Sequence, residues 1–158
     1  MLGEMKMNRE FEAHIGRVKA NFEALMATPL HPYSVRSKFK KAEGIYVLIE
    51  DGKPVYVGRT RNLSQRLQAH VSASHNSASY AVKRVRQAHG LEASYKPEMS
   101  RLHITTVEPW RGYFLEEIQK IRGMQFRFLK VEDPVDQYLL ELYATMELDL
   151  ELSGFDTH

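Results

Sequence analysis

Asp51-Gly52 separates two runs, GIYVLIE at 44–50 and KPVYVGR at 53–59, both rich in β-branched and aromatic residues. A two-residue Asp-Gly loop between such runs is a strong hairpin signal, because a tight primed turn needs positive φ at both central positions. The hairpin commits this stretch to an antiparallel pair. An isolated two-stranded ribbon is marginally stable at best, so the rest of the chain must cover it.

The flanking segments supply that cover. Phe11, Ile15, Val18, Phe22 and Leu25 fall at three- and four-residue spacing, which predicts an amphipathic helix over 8–26 with Asn8 as its N-cap. A loop with two prolines and the cations Arg36, Lys38, Lys40 and Lys41 leads into the hairpin. After Gly58, Asn62 caps a short helix, LSQRLQAHV. A second helix is expected over 77–89, ended by Gly90, with a loop at 91–100. LHITTVE reads as a strand. Pro109 opens a helix through Ile121 that stops at Gly123, and MQFRFLKV alternates as a strand does. Asp133-Pro134 starts the last helix, with Asp136 completing a box-like N-terminus. The expected class is α+β: a small sheet starting with the GIY/YVG hairpin, flanked by helices, with an N-terminal helical extension.

The chain has 158 residues, enough for one core, and 43% hydrophobic against 27% charged residues argues against disorder. No apolar run approaches the ~20 residues of a transmembrane helix, and the N-terminus lacks an apolar signal core. The absence of cysteine excludes disulfides, thiol nucleophiles and thiolate zinc sites, and agrees with a cytoplasmic location. The net charge of +2 conceals segregation. Residues 31–86 hold 11 Lys and Arg against three acidic residues, whereas 131–158 hold eight acidic residues and no Lys or Arg. A basic stretch attracts polyanions and an acidic one can hold a cation, or the two can simply face each other.

Gly44-Ile45-Tyr46, Tyr56-Val57-Gly58, Arg66 and His70 one turn apart, and Glu141 in a late helix occur in this order. Together they resemble the GIY-YIG nuclease superfamily, with YVG as the second signature. Tyr46 and Tyr56 match the signature tyrosines, Arg66 the catalytic arginine, and Glu141 the metal-binding glutamate. Arg59 matches a position that is often basic, and His70 one that is His or Tyr. Many members carry asparagine twelve residues beyond the glutamate; here Ser153 stands there, and the final FDTH looks like a tail of some bacterial members. The resemblance covers 44–70 and 124–158. It suggests 1–41 as an extension and 42–158 as the nuclease domain, with an insertion around 71–123.

The chemistry fits these residue types. A divalent ion such as Mg²⁺ or Mn²⁺ needs only one or two carboxylates, which Glu141 can begin to supply. Arg66 offers a permanently charged donor fork for phosphate. Tyr46 can accept a proton only if a nearby cation helps, since its ordinary pKa is ~10. Tyr56 can orient water or bond phosphate. His70 can relay a proton or hold a tyrosine hydroxyl. Arg59, Arg61, Lys83, Arg84, Arg86 and Ser153 are the expected substrate contacts. Trp110 and Tyr113 either stack on bases or pack in a core. The resemblance implies a metal-dependent endonuclease acting on DNA rather than RNA and leaving a 5′-phosphate. Its rivals are an inactive nucleic-acid-binding module of the same fold and a protein-interaction domain. Taken singly, each residue also has a structural reading: hairpin tyrosines usually pack, and a lone helical histidine is usually structural.

Overall fold

The computed structural model describes residues 8–91, 97 and 100–151. In chain order it runs α1 (Arg9–Met26), β1 (His31–Pro32), a 3₁₀ helix (Tyr33–Phe39), β2 (Gly44–Glu50), β3 (Lys53–Thr60), α2 (Leu63–His70), α3 (Ser79–Ala88), α4 (Arg101–Thr106), α5 (Trp110–Arg122), β4 (Gln125–Lys130) and α6 (Pro134–Glu147). The four strands form one sheet in the order β1-β4-β2-β3. The class is α+β, as expected.

The Asp-Gly turn forms as its chemistry requires. Asp51 and Gly52 take φ of 51° and 79°, and Glu50 pairs with Lys53. The antiparallel register then sets Tyr46 opposite Gly58 and Val47 opposite Val57, with an irregularity between Leu48 and Ile49. Pro54 is tolerated because β3 is an edge strand. Helix starts follow local capping. The Asn8 side chain accepts from the Glu10 and Phe11 amides, that of Asn62 from Gln65, and that of Asp133 from Val135 and Asp136.

The chain divides into two units. The first comprises 1–31, 42–61 and 126–158. Its core joins Ile45, Val47 and Ile49 of β2 to Leu25 of α1 and to Leu140 and Ala144 of α6. Fully burying one such aliphatic side chain contributes roughly 1.5–3 kcal/mol, so α1 is part of this core. α1 also docks on α6 through Phe22 and Tyr143, whose rings meet edge-on at 5.4 Å. The second unit comprises 32–41 and 62–125. Leu63, Leu67, Tyr80, Val82, Val85, Ile104, Phe114, Ile118 and Ile121 are buried there.

Two local expectations fail. LHITTVE is not a strand: 101–106 form α4. Ser100 caps it through His103 N, and Thr105 and Thr106 turn their hydroxyls back onto the carbonyls of Arg101 and Leu102. That satisfies the β-branched residues inside a helix, while Ile104 and Thr105 are buried. Asp136 does not close a capping box. Its carboxylate turns to α1, where His14 Nδ1 lies 2.7 Å away and Arg17 donates at 3.2 and 3.3 Å.

Candidate active site

Side chains alternate across a strand, so Ile45, Val47 and Ile49 enter the first unit's core while Tyr46 and Leu48 take the other sheet face. Tyr46 and Tyr56 share that face, their ring centroids 6.0 Å apart. Tyr46 is fully buried and Tyr56 is half-buried. The register explains the signature glycine. A Cβ at Gly58 would overlap Cζ, the hydroxyl and Cε1 of Tyr46, so only glycine lets that ring lie across β3. Gly44 is needed likewise, because a Cβ there would overlap the Leu129 carbonyl of β4. The two signatures therefore work as a packing rule: Gly58 makes room that the Tyr46 ring fills, and Gly44 makes room for the β4 backbone.

Arg59, one residue past Gly58, returns to the face shared by Val57 and α6. Its guanidinium stacks 3.8 Å from the centroid of the Tyr138 ring. Arg61 lies exposed just past β3. Glu141 follows the buried Leu140 on α6 and is half-buried, so it stands at the side of the helix contact.

The second unit holds Arg66 and His70 on α2, with Arg66 half-buried. His70 is fully buried, and its ring meets Tyr80 edge-on at 5.9 Å. Burial first, then the Arg66 charge, lowers the His70 pKa from 6.5 to about 3. This imidazole is neutral at physiological pH. On α3, Arg84 is committed internally: its Nε lies 2.6 Å from Glu117, and it donates to the Tyr80 hydroxyl at 3.3 Å. Burial alone would raise the Glu117 pKa, but hydrogen bonds and charge from Arg84 and Lys120 hold it below the usual range. Lys83 and Arg86 are half-buried. Burial, then Arg101, pulls the Arg86 pKa below its ordinary value. Trp110, Tyr113 and His89 pack together, with the His89 and Tyr113 rings 4.3 Å apart. Ser153 and the FDTH tail lie outside the described residues.

Among the described residues, His14, Asp133 and Asp136 group their ligand atoms within 4.8 Å. Arg17 already provides the positive charge for this group, bonding both oxygens of Asp136. Burial pushes the Asp136 carboxyl up, but the His14 and Arg17 hydrogen bonds and charges outweigh it, leaving a net lowering. The cluster is thus a salt-bridge brace between α1 and α6. The Glu141 carboxylate is of the hard-oxygen type that a hydrated divalent cation accepts.

A model of the GIY-YIG catalytic domain matches residues 42–122, so this chain belongs to the GIY-YIG family, whose catalytic domain implies nuclease activity. No curated protein and no solved structure matches the chain. The match includes both tyrosines, Arg59, Arg66 and His70, and ends before Glu141. Among the described residues, no helix is long and apolar enough to cross a membrane.

Proposed function

We propose that this chain is a metal-dependent endonuclease that hydrolyses phosphodiester bonds, with DNA as its substrate. The observation that carries the reading is the tyrosine pair on one sheet face, made possible by Gly58, in a chain of this family. Residues 42–158 are assigned as the nuclease domain and 1–41 as its extension. The absence of cysteine favours a cytoplasmic setting.

Glu141 would hold Mg²⁺ or Mn²⁺, which supplies charge neutralisation at phosphorus and acidifies bound water. Every other role falls to the chain itself. Arg66 grips a phosphoryl oxygen with its planar donor fork. Tyr46 is assigned to take the proton of the attacking water, as a phenolate that a nearby cation would stabilise, and the half-buried Tyr56 hydroxyl orients that water. His70, buried and neutral, is assigned to hold the local geometry. Arg59, Arg61, Lys83 and Arg86 contact the backbone phosphates, with Ser153 a further contact. Arg84 contributes indirectly, through its bond to Glu117.

A cleavage assay tests this. Supercoiled plasmid and labelled single-stranded, duplex and branched DNA are incubated with Mg²⁺, Mn²⁺ or chelator. The parent should cut only with metal. Glu141→Gln should abolish cutting while leaving folding and DNA binding, and Arg66→Lys should be severely impaired because it loses the bidentate fork. Metal-dependent cutting at the parent rate by Glu141→Gln removes that residue from the site. Salt-dependent binding without products would favour the inactive binding module, a reading that Ser153 in place of the usual asparagine supports.

A further inference from the structure

Arg59 stacks its guanidinium 3.8 Å from the Tyr138 ring centroid, and Tyr138 is 56% exposed. An exposed ring contributes little to a core, so the stacked pair calls for another explanation. Among the described residues, no carboxylate pairs with Arg59. Stacking uses the flat face of the guanidinium and leaves its N–H donors, which lie at the edge, able to meet an anion.

The helix places this pair beside Glu141. On α6, Asp136 and Tyr143 meet α1, through His14 and Arg17 and through Phe22. Leu140 and Ala144 enter the core. Helical periodicity then puts Tyr138 and Glu141, three residues apart, together on the flank away from α1. Arg59 reaches the same flank from β3. A cation held flat beside a carboxylate suited to a divalent ion matches two neighbouring phosphates of one strand.

We propose that Tyr138 is a positioning residue: its ring pre-sets the Arg59 guanidinium to clamp a nucleic-acid backbone phosphate next to the one served by Glu141. The inference rests on the nuclease reading above. Tyr138 itself does not touch the substrate. Its effect passes through Arg59 and is independent of base sequence, because phosphate contacts carry none.

The test is a double-mutant cycle on the full chain. Affinity for labelled duplex DNA is measured in chelator across a salt series, and steady-state cleavage is measured with Mg²⁺. Arg59→Met should weaken binding and make the log–log salt slope shallower by about 1, the share of one phosphate. Tyr138→Leu should weaken binding ~2- to 5-fold, the size of an exposed cation–π contact, and appear in KM more than in kcat. Tyr138→Phe, which keeps the ring, should restore affinity. In the Arg59→Met background, Tyr138→Leu should add nothing. Thermal melting of each variant checks folding. Additive losses, or a Tyr138→Leu protein that binds like the parent, overturn the assignment and leave the nuclease reading standing. A parent that neither binds nor cuts DNA overturns both.

Discussion

Arg84 and Arg59 each lie against a tyrosine ring, Arg84 at 5.6 Å from Tyr80 in the second unit and Arg59 at 3.8 Å from Tyr138 in the first. Arg84 is closed off. Its side chain is 16% exposed, and Glu117, 9% exposed, takes its Nε at 2.6 Å. Tyr80 is buried with it. Arg59 has the aromatic partner and, among the described residues, no carboxylate, and Tyr138 faces solvent. The lesson is that an arginine beside an aromatic ring is not yet a binding residue. The third group decides. A buried carboxylate uses up the donors and turns the arginine into structure, whereas its absence leaves the donors for a ligand. His70 extends the contrast, being a titratable group that the second unit keeps wholly inside.

The largest expected effect concerns that buried imidazole. The unfolded chain takes up a proton on His70 below about pH 6.5, while the folded chain resists until about pH 3. Because the unfolded state binds more protons in this window, stability should be full above pH 6.5 and fall as pH drops toward 3, by on the order of 4 kcal/mol. Urea denaturation across this range, compared with His70→Leu, checks the sign. A parent with the same pH slope as the variant would show that His70 titrates normally.

Next in size is the closed arginine. Arg84→Met leaves the buried Glu117 charge, among the described residues, with Lys120 alone to meet it, and should cost about 3 kcal/mol of stability. Calorimetry at neutral pH should show a clear drop in Tm. An unchanged melt would erase the distinction between the two pairs. The smallest stability effect belongs to the open arginine: Arg59→Met should stay within about 0.5 kcal/mol of the parent. A large loss there would make Arg59 a structural residue like Arg84, and would undercut its role as a phosphate contact.

Much of the frame was legible because its causes are local. Asp51-Gly52 dictates the turn, and Asn8, Asn62 and Asp133 are caps whose side chains reach amides two or three residues away. Where short-range signals conflict with packing, reading the sequence fails. Residues 101–106 carry the β-branched pattern of a strand, yet they form a helix. Their threonine hydroxyls find helix carbonyls, and Ile104 gains burial. Asp136 has the position of a capping-box residue, but a histidine and an arginine on a distant helix compete for its carboxylate and win.

The candidate site divides the same way. The chain dictates the turn and the period-two alternation, but unbroken pairing from that turn would set Tyr46 opposite Val57 and leave the two tyrosines on opposite faces; the irregularity between Leu48 and Ile49 brings Tyr46 opposite Gly58 and onto the face of Tyr56. The sequence by itself determined which residue types were at hand: arginines, an acidic helix and a basic stretch. Only the tertiary structure decided which groups remain usable. His70 is held neutral down to acid pH, Arg84 gives its Nε to Glu117, and among the described residues Arg59 meets a ring but no carboxylate. The reason is that a titratable group's fate depends on desolvation and on the sign of the charge beside it. Both are set by residues far apart in the chain, and no local pattern encodes them.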